Sequence, residues 1–364
     1  MKFQSKIIAL FFSTMLAVSC GNADDDVDFG LNTGTDGLGK GKPVDDCLNL
    51  GESDLILSIQ EQYTTLPGKV SIFFKVSATD GSPVPNLTAS QFTIYEQGRN
   101  DACFNTISTS ESQARISPNS QIFSNNSLLV LDLSNSVLSS SLEELKSATT
   151  SFVDNVMPPT PRETFKMGIY WFDGENELHL LNPLTADRQE LITAIASIST
   201  DISSDPSTDL YGAVIKSTDK ASEVLAASTQ GGKIGAASVI IFTDGTDQAS
   251  RFTKDAAQKK VDDANPNISF FTIGLGGEID TKVLTDLGKT FSVFAGNKEE
   301  LETTFNDISL RVSEQANSFY LFEYCSPKRD GSGENNLAIL VKEGNRKGAV
   351  QTKFSANGFT GGCE

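Results

Sequence analysis

The sequence contains one histidine, one tryptophan and no two cysteines separated by only two residues. A zinc cluster of Cys and His needs several such ligands at close spacing, so this composition argues against one. The single histidine, His179, lies in a predicted hairpin, where a surface position is expected for it. Catalysis by a Cys–His or Ser–His–Asp arrangement has little support, and the sequence contains neither a nucleophile elbow nor a phosphate-binding loop.

Basic residues are scarce relative to acidic ones. The 364 residues include 29 Lys and Arg against 47 Asp and Glu, so the net charge is −18 and the pI is about 4.5. A surface that binds nucleic acid needs clustered basic side chains, so no nucleic-acid partner is expected. The acidity is typical of a soluble, self-repelling surface, and the length leaves room for more than one domain.

The first 19 residues have the pattern of an export signal. Lys2 and Lys6 precede an apolar run over residues 7–18, which is too short to cross a bilayer as a stable helix. The run ends in small residues followed by Cys20, and residues 1–19 resemble the signal peptide of bacterial lipoproteins. An ordinary cleaved signal peptide is the alternative.

The lipoprotein resemblance implies that Cys20 is acylated and becomes the mature N-terminus, where several acyl chains give stable membrane attachment. Gly21 after the cysteine resembles the pattern of sorting to the outer membrane. We therefore expect a lipid-anchored protein of the cell envelope that faces either the periplasm or the exterior. Residues 20–45 are acidic, rich in glycine and almost devoid of apolar side chains, which predicts a flexible tether.

Four cysteines remain if Cys20 is acylated. An even number in an exported chain predicts two disulfides, and four cysteines allow three pairings, among which the sequence does not choose. The four candidates are Cys47, Cys103, Cys325 and Cys363.

Two flanking segments, residues 46–123 and 317–364, carry short strand-like patterns such as those over residues 70–76 and 319–324. Each segment alone offers few strands for a stable sheet. We therefore expect the two segments to combine into one accessory β-sandwich, which the central part of the chain interrupts.

Residues 124–316 alternate short apolar runs with amphipathic helical patterns. The runs over 128–131, 167–172, 238–242 and 268–273 read as buried strands. Alternation of strand and helix predicts an α/β fold with a doubly wound, mostly parallel, Rossmann-like sheet that helices cover on both sides.

Two carboxylates and three hydroxyls are predicted to meet at one edge of this sheet. An aspartate and two serines leave the strand at 128–131, a second aspartate leaves the strand at 238–242, and a threonine opens a helix between them. Because the carboxyl ends of parallel strands face one crevice, these oxygens suit a divalent cation. The five candidate metal ligands are Asp132, Ser134, Ser136, Thr208 and Asp244. Taken singly, such residues are more typical of turns and helix caps, so the prediction depends on the combination.

The pattern D-x-S-x-S, with Thr208 in STDLYGA and Asp244 in FTDGTD, resembles the complete metal-ion-dependent adhesion site of a von Willebrand factor A domain. The resemblance covers about residues 124–316 and departs from the family at Ser207, where many relatives have glycine. It implies a non-enzymatic domain in which the serines and the threonine contact the metal and the aspartates act partly through water. A carboxylate of a partner, either a protein or an extracellular-matrix ligand, would complete the coordination.

The expected cation is Mg²⁺, and Mn²⁺ and Ca²⁺ are the alternatives, because hard oxygen ligands suit all three. Two other functions fit the same residues. One is a hydrolase in which the cation activates water, with Asp173 or Asp247 as the general base. The other is a structural scaffold in a cell-envelope complex, in which the metal only stabilises loops.

Overall fold

The computed structural model describes residues 41–108, 112–117, 123–230, 233–329 and 333–363. The predicted signal peptide, Cys20 and most of the predicted tether lie outside the described residues. The described part of the chain contains one six-stranded β-sheet and two four-stranded β-sheets.

The strands and helices of the described residues follow one another along the chain with mostly short connections. The strands are β1 (Leu55–Thr65), β2 (Lys69–Ala78), β3 (Phe92–Gln97), β4 (Asn105–Ile107), β5 (Arg115–Ser117), β6 (Phe123–Asp132), β7 (Phe165–Phe172), β8 (His179–Thr185), β9 (Ile234–Thr243), β10 (Ile268–Leu275), β11 (Phe291–Ala295), β12 (Phe319–Cys325), β13 (Glu334–Glu343) and β14 (Arg346–Ser355). The α-helices are α1 (Asn135–Ser140), α2 (Leu142–Val156), α3 (Arg188–Ala196), α4 (Leu210–Gln230), α5 (Lys254–Asp262), α6 (Thr281–Leu287) and α7 (Leu301–Ala316). Short 3₁₀ helices cover Asp46–Leu48, Ala89–Gln91 and Lys298–Glu300. In the described ranges, every helix is too short or too polar to cross a membrane.

The six-stranded sheet has the strand order β11-β10-β9-β6-β7-β8. Neighbouring strands run parallel, except that β7 and β8 form an antiparallel hairpin. From β6 the chain first adds β7 and β8 on one side of the sheet. It then adds β9, β10 and β11 on the other side of β6. The topological switch point, where ligands bind in sheets of this kind, therefore lies between β6 and β9.

Helices cover both faces of this sheet because its central strands are apolar on both sides. Along β6, Leu129 faces a cluster that includes Phe152 of α2 and Phe305 of α7. The next residue towards the N-terminus, Leu128, faces the opposite cluster, which includes Val214 of α4. This arrangement confirms the predicted α/β fold with a mostly parallel sheet flanked by helices.

The two four-stranded sheets combine strands from both flanking segments. Their orders are β1-β2-β12-β5 and β14-β13-β3-β4, so that β12 pairs with β2 and β5, and β13 pairs with β3. The sheets share one apolar core, in which the rings of Phe92 and Phe322 have a centroid distance of 5.3 Å. The accessory sandwich built from both flanks is therefore confirmed.

Both disulfides lie in the flanking segments. Cys47 is bonded to Cys103 and Cys325 to Cys363, with Cα–Cα distances of 5.8 Å and 5.6 Å. This pairing decides among the three that the sequence left open. The first disulfide closes a loop that contains β1, β2 and β3, and the second joins the end of β12 to the last residues of the chain.

Candidate metal centre

Asp132 ends β6 and is completely buried. Its Oδ1 accepts a hydrogen bond of 2.9 Å from the backbone N–H of Ser134, and its Oδ2 accepts one of 2.7 Å from the Thr243 hydroxyl at the end of β9. The pKa of Asp132 is raised to about 7, chiefly by burial; the hydrogen bond from Thr243 opposes the shift and the charge of Asp244 adds to it. A nearby cation would stabilise the charged form of such a carboxyl group.

The two serines lie at the start of α1. Ser134 is the residue before the helix and Ser136 is in its first turn, and their hydroxyl oxygens are 3.3 Å apart. Ser136 Oγ donates a hydrogen bond of 2.8 Å to Oδ1 of Asp244, in the loop after β9. Burial raises the pKa of Asp244, and the hydrogen bond from Ser136 opposes that shift. The loops after β6 and β9 are thus joined across the switch point.

Thr208 belongs to the segment that enters α4, and it is 2% exposed. Its carbonyl oxygen accepts hydrogen bonds from the backbone N–H groups of Gln248 and Ala249, at 2.8 Å and 3.1 Å. Its hydroxyl oxygen lies 4.0 Å from the point where a Cβ on Gly245 would stand. The third loop therefore rests against the loop that carries Asp244.

The structure brings all five predicted ligands to the same edge of the six-stranded sheet. Four of them are connected through the hydrogen bonds and close oxygen contact just described, and the Thr208 loop is held there by its backbone. Two carboxylates balance the charge of a divalent cation, and three hydroxyls add neutral hard oxygens. Within the described ranges the Thr208 hydroxyl makes no hydrogen bond. Its oxygen is therefore available to coordinate a metal ion. This set of oxygens fits the predicted cation.

Asp173, which the sequence offered as a general base, is completely buried after β7. Its Oδ1 accepts a hydrogen bond of 2.8 Å from the backbone N–H of Glu175, and its Oδ2 accepts one of 2.7 Å from the Ser203 hydroxyl. Its carbonyl oxygen accepts a hydrogen bond of 2.8 Å from the N–H of Asp209, next to Thr208. Asp173 therefore positions the loop that carries Thr208.

Asp247, the other carboxylate considered as a base, also binds backbone groups. Its Oδ1 accepts a hydrogen bond of 3.1 Å from Tyr211 N–H, and its Oδ2 accepts one of 3.0 Å from Ser250 N–H. It fixes the first turn of α4 to the loop after β9. Burial raises the pKa of Asp247, and these hydrogen bonds oppose the shift.

The sequence did not predict two residues that support the proposed ligands, Thr243 and Asp209. The Thr243 hydroxyl binds Asp132, and the only signal in the sequence is its position at a strand end beside Asp244. Asp209 is 1% exposed, and its Oδ2 accepts from Lys216 Nζ at 3.0 Å. Asp209 directly precedes α4, and an aspartate in that position is typical of a helix cap. This position is the signal in the sequence that could have identified Asp209 as a supporting residue.

His179 lies in the predicted hairpin, at the start of β8, and is partly exposed. Its side chain is only 19% exposed, because the ring stacks on Trp171 with a centroid distance of 4.0 Å and an interplanar angle of 13°. The two residues are direct cross-strand partners in the β7–β8 pair, which brings their side chains to the same face of the sheet.

Comparison with known protein families agrees with the fold of the central part of the chain. Residues 128–308 match the family model of the von Willebrand factor type A domain. This part of the chain has the von Willebrand factor type A fold. No curated protein matches the chain.

Several solved structures resemble this chain at low sequence identity. BatB from Bacteroides thetaiotaomicron is 20% identical and has a TM-score of 0.41, over 52% of this chain and 98% of that one. A von Willebrand factor type A protein from Catenulispora acidiphila is 10% identical and has a TM-score of 0.45, over 83% and 74%. Proximal thread matrix protein 1 from the mussel byssus, with a zinc-occupied MIDAS motif, is 16% identical and has a TM-score of 0.41, over 52% and 48%.

Proposed function

We propose that this chain is a lipid-anchored, divalent-cation-dependent protein-binding module of a bacterial cell envelope. The observation that carries the proposal is the hydrogen bond of 2.8 Å between Ser136 and Asp244, which joins two strand-end loops at the switch point of the sheet. Hydroxyl and carboxylate oxygens of these two loops are thereby held together, and backbone hydrogen bonds hold the Thr208 loop against the loop that carries Asp244.

The proposed ligands have different positions relative to solvent. Ser136 is exposed, whereas Asp132 is completely buried behind it. The cation, with Mg²⁺ expected from the all-oxygen donor set, supplies a positive charge at the open edge of the sheet. Because the exposed protein donor is a neutral hydroxyl, an anionic group from outside can approach that charge. The partner is therefore proposed to present a carboxylate.

A binding function is favoured over hydrolysis because the residues that a hydrolase would need already have other partners in the structure. Asp173 and Asp247 both accept hydrogen bonds from backbone groups that hold the loops of the site. His179 packs against Trp171, and the four cysteines of the described residues are in disulfides. These contacts support positioning roles for the groups that could otherwise act as base or nucleophile.

Cation binding is tested by isothermal titration of the purified protein with Mg²⁺. The wild type and Asp307→Asn, which removes an exposed carboxylate of α7, are expected to bind one ion with equal affinity. Asp244→Ala is expected to weaken binding by more than about tenfold, since even residues that only support a ligand cost about 10–100-fold. Equal affinity in Asp244→Ala and Asp307→Asn would show that the proposed ligand set is wrong.

Partner binding is tested by capture from a cell-surface extract. Candidate partners should be retained with Mg²⁺ and released by a chelator, and Asp244→Ala should not retain them. Mutation of individual acidic residues in a retained partner should then abolish binding. Retention that persists both in chelator and with Asp244→Ala contradicts the cation-bridged mechanism.

Membrane attachment has a separate test. Acylation of Cys20 should place the wild-type protein in the membrane fraction, and mass spectrometry of its N-terminal peptide should show the acyl chains. Cys20→Ser should move the protein to the soluble fraction. Recovery of an unmodified, cleaved N-terminus from the wild type would favour the ordinary signal peptide instead.

A further inference from the structure

A second group of metal-ligating side chains lies on the β7–β8 hairpin. Asp173 follows β7, Glu175 lies in the turn and His179 begins β8. One oxygen of each carboxylate and one ring nitrogen of the histidine all lie within 4.8 Å of one another. None of the three belongs to the ligand set proposed above.

The position of the His179 ring is fixed by its stacking on Trp171. Its Nε2 lies 3.8 Å from Asp173 Oδ1 and 3.5 Å from Glu175 Oε2. This nitrogen is buried from solvent and makes no hydrogen bond within the described part of the chain. A buried nitrogen without a hydrogen bond is costly, and the two carboxylate oxygens lie near it without hydrogen bonding to it, so a group bound between the three atoms would satisfy all of them.

The two carboxylates are held in place by other hydrogen bonds. The Ser203 hydroxyl donates to Asp173 Oδ2, and the Ser204 hydroxyl donates to Glu175 Oε1. The other oxygen of each carboxylate is the one that faces the His179 ring, and in Asp173 this oxygen also accepts the hydrogen bond from Glu175 N–H. Support of metal-binding carboxylates by neighbouring donors is usual in metal sites, because it orients them before the ion arrives.

We propose that Asp173, Glu175 and His179 form a second cation site, specific for a first-row transition metal such as Zn²⁺. Two ligand atoms bound to one such ion, each at about 2 Å, are separated by about 3–4 Å, and the distances from Nε2 fall in that range. Three protein ligands leave at least one position for water. The imidazole nitrogen distinguishes this site from the all-oxygen site at the switch point, since nitrogen suits Zn²⁺ better than Mg²⁺.

The second site goes beyond the proposed function and does not depend on it. It also has a structural connection to the first site, because the carbonyl oxygen of Asp173 accepts the hydrogen bond from Asp209, beside Thr208. An ion bound at the hairpin would therefore hold the residue on which the Thr208 loop rests.

The single tryptophan of the chain provides the measurement, because it stacks directly on His179. The purified protein is titrated with Co²⁺, a paramagnetic quencher, in excess Mg²⁺ to occupy the all-oxygen site. Trp171 fluorescence is expected to fall to a plateau at one equivalent of Co²⁺, and Zn²⁺ is expected to restore it by competition.

Variants assign the response to its ligands. His179→Gln and Glu175→Gln are each expected to weaken Co²⁺ binding by more than about tenfold. Glu175→Gln guards against a folding defect, since this side chain is 42% exposed and lies outside the core. Glu177→Gln, an exposed carboxylate in the same turn, serves as the matched control and should bind Co²⁺ as the wild type does.

The outcomes separate this proposal from the first one. Asp244→Ala should lose Mg²⁺ binding in the isothermal titration and keep the quenching of Trp171 by Co²⁺. Each site can therefore be disproved without the other. No quenching in the wild type, or equal Co²⁺ affinity in the wild type, His179→Gln and Glu175→Gln, would overturn the second site. Such a result would assign the cluster to direct contacts between the His179 ring and the two carboxylates.

Discussion

Ser136 Oγ donates a hydrogen bond of 2.8 Å to Asp244 Oδ1 across 108 residues of sequence. Both residues are proposed ligands of the same cation, and this bond fixes one relative to the other before any ion binds. Since Ser136 is exposed, it can be changed without creating a cavity.

Ser136→Ala is therefore expected to weaken Mg²⁺ binding by about tenfold or more with little change in the free energy of unfolding. Isothermal titration and urea unfolding measure the two quantities. Ser222→Ala, which removes an exposed hydroxyl from α4, is the control and should change neither. A Mg²⁺ affinity unaffected by Ser136→Ala would remove this hydroxyl from the ligand set.

Thr243→Val tests the hydrogen bond that the Thr243 hydroxyl donates to Asp132 Oδ2. The substitution keeps the shape of the buried side chain but leaves Asp132 Oδ2 without its donor. The free energy of unfolding in the absence of cation should fall by about 1–3 kcal/mol, which is the usual cost of a buried polar group that loses its partner. Thr243→Ser retains the donor and should lose less stability, so the reverse order of the two variants would contradict the assignment.

The disulfide between Cys47 and Cys103 is expected to stabilise the sandwich without contributing to the cation site. Replacing both cysteines by alanine should lower the free energy of unfolding by about 2–4 kcal/mol, since the bond restricts a long loop in the unfolded chain. The Mg²⁺ affinity of the folded protein should stay the same, because both cysteines lie in the flanking segments. A large loss of affinity in this variant would show that the sandwich shapes the site.

Lys75 is expected to make the folding stability depend on pH, independently of the metal sites. It lies on β2 beside a cavity of about 580 Å³ between the sandwich and the α/β domain, with its Nζ 5.8 Å from the centroid of the Phe319 ring. Burial lowers the pKa of Lys75 to about 8 from 10.5. The unfolded chain therefore binds more protons than the folded one between these two values, and this contribution to stability rises with pH.

Lys75→Met should accordingly raise the melting temperature at pH 7, where the cost of burying the charge is fully present. The difference from wild type should shrink as the pH rises from about 8 and disappear above about 10.5. Lys342→Met, which replaces an exposed lysine of β13, corrects for the general effect of removing a positive charge. A stabilisation by Lys75→Met that does not depend on pH would mean that added apolar contact, rather than removal of charge, is responsible.

The sequence could predict the features that depend on local pattern. The apolar run at 128–131 became the centre of β6, and Asp132 lies at the end of that strand because buried parallel strands are apolar until they reach the edge of the sheet. The positions of the serines and of Asp244 followed from the same rule. The alternating pattern of the flanks likewise predicted strands.

The remaining features depend on contacts between distant parts of the chain. The pairing of Phe322 with Ile72 places β12 beside β2, and no local pattern specifies such a partner. The disulfide pairing likewise depends on which distant segments the fold brings together. The hydroxyl of Thr243 meets Asp132 only because β6 and β9 are neighbours in the sheet. The stacking of His179 on Trp171 depends on the register of the β7–β8 hairpin, which a single sequence does not determine.

The Cys47–Cys103 bond also has a mechanical consequence. A pull applied at the amino-terminal end reaches Cys47 and passes through the covalent bond directly to Cys103. Residues 48–102, which include β1, β2 and β3, then carry none of the tension. Force that enters from the amino-terminal side therefore cannot stretch this segment while the disulfide is intact.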